Sequence, residues 1–186
     1  MSNPFRILQT FDRHLVSPAE MTLFGRAALA LGFAAAPPDF HHTRNVDAIL
    51  SAEWLSSPDE NIEFWLAQQR TNAELSRDGL YLTHLLRDSE VIILPDWPTR
   101  RVQLPLQFPR LTIYRPATVD LVLTKMARAD EQDLEDIHFL LRQEPISPRK
   151  LQAAFEHARV PNVTGIRQLF AAAQPKVLQP ASNLWP

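Results

Sequence analysis

Short apolar runs and longer amphipathic stretches alternate along the first two thirds of the chain, and amphipathic stretches alone fill the last third. The runs at 21–24, 46–50, 91–94, 102–106 and 111–114 predict strands, because each is brief, apolar and bounded by Gly, Pro or charged residues. Val91-Ile92-Ile93-Leu94 in particular reads as a buried strand between Glu90 and Pro95-Asp96. The spacing of Phe5, Leu8 and Phe11 predicts a first helix over 5–15. The apolar segment 27–33 predicts a second helix. Ser57-Pro58-Asp59-Glu60 carries a cap, a proline at the first helical position and a capping-box acid, so a third helix is expected from there to about Ser76, with Ile62, Trp65, Leu66 and Ala73 on one stripe.

Beyond Pro116 the period is helical throughout. Val119, Val122, Leu123 and Met126 predict a helix over 117–129, and Leu134, Ile137 and Leu141 one over 131–142 with Asp130 as its cap. Ser147-Pro148 opens another, with Leu151, Ala154, Phe155 and Ala158 inward. A last short helix is expected over 165–173, and 174–186, with three prolines, reads as an extended tail. The order of elements implies an α/β (α+β) fold: a small mixed β-sheet flanked by helices, with a helical C-terminal half. The expected division is an α/β core over 1–115, a helical subdomain packed on it over 116–174, and the tail over 175–186.

Composition adjusts this picture in three places. Of the 186 residues 45% are hydrophobic, enough to bury a core. Sixteen prolines against four glycines favour helix starts and stiff loops over tight glycine turns. Cysteine is absent, which excludes disulfides, thiolate catalysis and Cys-based zinc sites. The N-terminal residues hold no run like a signal-peptide core, and 27–36 is too short to span a bilayer, so a cytoplasmic protein with no membrane partner is expected. The net charge of −2 conceals two opposed segments. Residues 47–69 carry five acids and no Lys or Arg, whereas 97–128 carry six bases against Asp120 alone. Folded beside a phosphate turn, the basic segment would suit an anion; for Arg100, Arg101 and Arg110 the sequence favours solvated strand edges.

The stretch MTLFGRAALALGFAAAPPDFHHTRNVDAIL brings candidate chemistry together. A glycine where a strand feeds a helix leaves backbone N–H groups facing an anion, and here Gly25 and Arg26 occupy that turn. Asp47 then stands at the head of the following strand. The same pattern also describes an ordinary α/β core in which Gly25 relieves a turn and Asp47 caps a strand. Lys125 and Arg128 lie three apart at the end of one helix, and Asp133 and Asp136 lie in the first turns of the next. They suit phosphate contacts with supporting acids, and they equally suit the two helix macrodipoles. His41-His42 and Asp136-Ile137-His138 lack further ligands at metal-binding spacing, and no Ser-His-Asp, Walker or dinucleotide fingerprint is present.

Together, LFGRAALALGF followed by TRNVDAIL resembles the opening of the minimal nucleotidyltransferase fold, in which a glycine turn precedes a helix and a strand bearing Asp-x-Asp. RPATVDLVLTKMARADEQDLEDIHFLL resembles the second block of that superfamily's AbiEii-like branch, with its Lys, Arg and Asp-x-x-Asp order. LYLTHLLRDSEVIILPDWPTRRV is similar to uncharacterised bacterial proteins grouped with it. The resemblance implies transfer of a nucleoside monophosphate from a nucleoside triphosphate to an acceptor such as tRNA or protein, with Mg²⁺, in a protein that can be a toxin paired with an antitoxin. It places Gly25 and Arg26 on the phosphates, Asn45 and Asp47 on the metal, and Lys125 and Arg128 on phosphates, with Asp47 and Lys125 catalytic and Asp133 and Asp136 supporting. Three positions depart from the pattern. Asn45 stands where the first acid belongs, Arg26 replaces a small residue, and only Glu90 and Asp96 flank the expected third-acid strand. These departures fit a catalytically degenerate member that acts as a nucleotide-binding or protein-interaction module.

Overall fold

The computed structural model describes residues 1–50, 54–55, 59 and 61–184. Two compact units divide the chain: 1–87 with 102–115, and 88–101 with 116–186. The segment 88–101 therefore belongs with the C-terminal helices rather than with the sheet.

The first unit is built on a five-stranded mixed sheet, as the alternating elements predicted. In chain order the strands are β1 (Ala19–Phe24), β2 (Asn45–Leu50), β3 (Tyr81–Arg87), β4 (Val102–Gln103) and β5 (Leu111–Arg115). They are arranged β3-β2-β1-β5-β4. β1 runs antiparallel to β2 and parallel to β5, and β2 runs parallel to β3. The helices that accompany the sheet in this unit include α1 (Asn3–His14), α2 (Gly25–Gly32) and α3 (Ile62–Leu75). The Ser57-Pro58-Glu60 capping box expected at the start of α3 lies outside the described residues. On α1, Ile7, Leu8 and Phe11 are wholly buried, and Phe11 meets Phe64 of α3 edge-on at 5.1 Å. Asp12, also buried, accepts a hydrogen bond from the Arg110 backbone N–H at 2.8 Å, tying α1 to the approach to β5.

β3 sits at the sheet edge, where unpaired backbone groups invite unwanted pairing. Asn72 of α3 closes part of that edge. Its carboxamide accepts from the Leu82 N–H at 2.7 Å and donates to the Leu82 carbonyl at 3.0 Å. Gln68 adds a second donor to the same carbonyl at 2.9 Å.

Close packing also fixes Gly32 at the end of α2. A Cβ built there would stand 2.6 Å from Arg115 Cδ, in the middle of a buried side chain whose guanidinium lies 4.4 Å above the Phe33 ring. Gly32→Ala is expected to lower stability by about 1–3 kcal/mol through overpacking, read as a lower urea midpoint at unchanged slope.

The buried face of α3 is Phe64, Ala67, Thr71 and Leu75 rather than the expected stripe of Ile62, Trp65, Leu66 and Ala73, of which Ile62 and Ala73 are exposed. Two further expectations are corrected. The strand expected at 91–94 is not in the sheet. Val91, Ile92 and Ile93 are buried, but only Ile93 makes a strand-like contact, an isolated antiparallel bridge to Arg159. An apolar run reports burial, and burial alone does not distinguish a strand from a packed loop. The sheet position goes instead to β3, within 81–87, a stretch left unassigned in the sequence reading. The extended tail is the second correction. The last helix runs through it to Leu184.

The second unit holds that helix, α7 (Ile166–Leu184), with α4 (Thr118–Lys125), α5 (Glu131–Gln143) and α6 (Pro148–His157). Asp130 and Ser147 cap α5 and α6 as expected. α7 contains Pro175 and Pro180, each of which forfeits a helical hydrogen bond. It persists because Phe170, Ala173, Val177 and Ala181 form a buried stripe, and Phe170 packs edge-on against Phe155 of α6. Packing of an apolar face outweighs local propensity here.

Candidate functional site

β1 ends at Phe24 and α2 begins at once with Gly25, whose φ of +66° most side chains would resist. Among the described residues no side chain caps α2, and the N–H groups of a helix's first turn lack intrahelical partners. The register pairs Phe24 with Asp47 across β1 and β2, which brings the carboxylate to the turn. A Cβ on Gly25 would stand 3.5 Å from Asp47 Oδ2. The strand–glycine–helix–acid arrangement expected from sequence is therefore assembled in space.

Asn45 lies two residues before Asp47 on β2, so both project from the same face of the strand. Asn45 is exposed and Asp47 half-buried. Arg26 turns to the short 3₁₀ segment Pro38–His42: its guanidinium is 3.3 Å from Asp39 Oδ2 and 4.9 Å above the Phe40 ring.

Two residues absent from the sequence-level candidates complete the surroundings of Asp47. Its Oδ1 accepts a hydrogen bond from Thr83 Oγ1 at 3.1 Å and lies 2.8 Å from His84 Nδ1. Both come from β3, where the register slips between Asp47 and Ala48 and His84 is the extra residue, with φ of +44°. Such a bulge bends the strand and re-aims side chains. The signal that could have found it is Thr83-His84 interposed between Leu82 and Leu85, which breaks the period-two alternation of a strand.

The remaining expected residues gather in the second unit. Lys125, at the end of α4, is buried and directs its ammonium at Asp136 Oδ2 (2.5 Å) and Asp133 Oδ1 (3.2 Å). Arg128 lies past the end of α4 and grips Asp133 through Nε and Nη2 at 3.0 and 3.1 Å. Those hydrogen bonds push the Arg128 guanidinium pKa further up. The four residues are thus brought together as one ion cluster on α4, the turn after it and α5. Arg100 also finds a partner inside this unit. It bonds the fully buried Asp120 at 3.0 Å, as well as Asp96 at the same distance, instead of lying on a strand edge.

The residues matching one family model run from 16 to 161, most of the chain and all of the sites above, and that family is described as a nucleotidyltransferase of unknown function (DUF6036). The chain belongs to this family. No curated protein and no solved structure matches it significantly. Among the described residues no helix is long and apolar enough to cross a membrane.

Nucleotidyl transfer on this fold commonly uses paired Mg²⁺ ions held by clustered carboxylates. The described residues do not fit a pair: no three His, Cys, Asp or Glu side chains among them converge on one point. They do fit one hydrated ion. Mg²⁺ is often held by one or two carboxylates, with waters and substrate phosphates completing its shell, and Asp47 supplies such a carboxylate beside the Gly25 turn.

Proposed function

We propose that this nucleotidyltransferase-family protein binds a nucleoside triphosphate at the β1–α2 turn and transfers its nucleoside monophosphate to an acceptor hydroxyl. The observation that carries the reading is the approach of Asp47 to Gly25. The positive φ of Gly25 disfavours a side chain there, and without one the space between the carboxylate and the helix N-terminus stays open for phosphate oxygens to meet backbone N–H groups. Asp47, with the Asn45 amide oxygen beside it on β2, would hold Mg²⁺, which when bound offsets the charge of the phosphates. In the transfer, the acceptor oxygen forms a bond to the α-phosphorus as the bond to the pyrophosphate oxygen breaks, and pyrophosphate leaves with that electron pair. The chain's own contribution is to hold the triphosphate in line for attack.

The resemblance to the AbiEii-like branch favours a tRNA end or a protein as acceptor and an antitoxin as partner. A non-catalytic, nucleotide-binding role is the second reading, and it is favoured by the single carboxylate at the turn. Calorimetric titration with ATP, GTP, CTP and UTP, with and without Mg²⁺, tests the site. At least one nucleotide should bind in a Mg²⁺-dependent manner, and Asp47→Ala should weaken it about tenfold or more. Asn45→Asp should strengthen the Mg²⁺ dependence by restoring a second carboxylate. Failure of all four nucleotides to bind would sink the site, and binding without transfer to tRNA or protein would favour the second reading.

A further inference from the structure

The second unit holds a cleft that plays no part in the nucleotide reading. Its volume is about 780 Å³, within the range of about 300–1,000 Å³ usual for small-molecule sites. The segment up to Arg100 forms one wall and the start of α4 another, and the turn between α5 and α6 completes it with α6 itself. Every wall belongs to the same unit.

Most of the lining is apolar. Leu94, Val119 and Ile146 line the cleft and are only half-buried, so they leave apolar surface that a ligand could shield from water. Ala153 and Ala154 on α6 keep the space open with small side chains.

The charged groups on the cleft differ in what they already bind. Glu144 accepts a hydrogen bond from Thr118 Oγ1, and Asp96 Oδ1 lies 3.0 Å from Arg100 Nη2. Each acid thus meets a donor of the chain itself. The bases keep uncommitted donors. Arg100 directs Nη2 at Asp96 and Asp120, and among the described residues its Nη1 has no partner. Lys150 is exposed; its backbone N–H bonds Ser147 Oγ, and its ammonium has no partner among the described residues. Uncommitted N–H groups on cations select an anionic acceptor. The two acids on the same cleft would repel a second negative charge, which favours a monoanion over a phosphate ester.

We propose that this cleft binds a small monocarboxylate with an apolar body, its head on Arg100 and Lys150 and its body against Leu94, Val119 and Ile146. The cleft shares no residue with the Gly25 turn, so it stands independently of the nucleotide reading.

Calorimetric titration of the full chain with four probes that share one apolar body tests it: naphthylacetate, naphthylacetamide, naphthylmethylammonium and naphthyl phosphate. The carboxylate should bind, and the other three should each bind about fivefold or more weaker. Lys150→Gln changes an exposed side chain. It should weaken the carboxylate about fivefold and leave both the amide affinity and the urea midpoint unchanged. Ala153→Leu, which fills part of the cleft, should weaken all four probes. A carboxylate that fails to bind at about millimolar concentration, or an amide that binds as well, would overturn the proposal. So would a Lys150→Gln chain that binds the carboxylate as wild type does. Tightest binding of the phosphate or of the ammonium would assign the cleft to another ligand class and overturn it too. A Lys150→Gln chain that also loses ATP affinity would make the cleft part of the nucleotide site, which defeats this proposal alone. Binding of the carboxylate by a chain that takes no nucleotide supports the cleft and defeats the transferase reading.

Discussion

Lys125→Met is expected to destabilise the protein by about 3–5 kcal/mol, the cost of removing one partner from a buried ion pair. The ammonium is shared between two carboxylates that are almost or wholly inaccessible, Asp133 at 2% and Asp136 at 0% exposure. Asp133 keeps the Arg128 guanidinium when Lys125 is lost, whereas Asp136 loses its ammonium. Methionine matches the length of the lysine stem and leaves little cavity, so the effect reports charge rather than packing. Urea denaturation gives the magnitude. The double variant Lys125→Met/Asp136→Leu should recover part of it, because it removes the buried carboxylate along with its ammonium partner. A lysine that served only to touch phosphate would behave differently: stability would be unchanged and nucleotide binding alone would fall.

Arg100→Met is expected to cost about 2–3 kcal/mol at neutral pH and less under acid conditions. Arg100 Nη2 and the Leu94 backbone N–H share the two oxygens of Asp120, a carboxylate with no exposure to solvent. The lower end of the range is favoured because the substitution also removes the buried Arg100 Nε, which has no hydrogen-bond partner. Burial pushes the Asp120 carboxyl above the ordinary carboxylate range, against the opposing pull of the Leu94 hydrogen bond and the Arg100 charge. A carboxyl with a raised pKa holds its proton more tightly in the folded chain than in the unfolded one. The stability gained from that proton is present at low pH and is lost as pH rises through the raised value. Without Arg100 the carboxyl titrates higher still. The gap between variant and wild type should therefore narrow as pH falls from 7 toward the ordinary carboxylate value of about 4, and paired urea titrations at pH 7 and 5 would show it. A gap independent of pH would mean that Asp120 is not the group left uncompensated.

Both predictions concern side chains whose role the sequence left open. Lys125, Arg128, Asp133 and Asp136 read equally well as phosphate contacts or as charges placed to suit two helix ends. The structure shows them bonded to one another, with Lys125 buried. Arg100 looked like a solvated edge charge because nothing in the linear chain announces a partner twenty residues away. Charge pairing across a fold depends on which helices meet, and local sequence carries no record of that.

The capped helices α5 and α6, with their apolar stripes, were legible for the same reason that they are stable. Asp130, Ser147 and the apolar positions at three- and four-residue spacing act within one turn or one face of their own element. The glycine turn and its acid were legible too, since a positive φ at Gly25 and the start of α2 are local events. Where the sequence misled, a non-local effect intervened. The run at 91–94 is buried by the helical unit instead of being paired in the sheet, and α7 tolerates two prolines because its far end is packed.

By itself, then, the sequence determined an α/β fold with a small mixed sheet and a helical C-terminal half, and it pointed to Gly25, Asn45 and Asp47 as one mouth. Only the tertiary structure decided what surrounds Asp47. A register slip between β2 and β3 brings Thr83 and His84 to a carboxylate 36 and 37 residues earlier in the chain. Strand register is a property of two segments paired in space, and a one-residue change in it alters which side chains share a face. No reading of either segment alone could have supplied it.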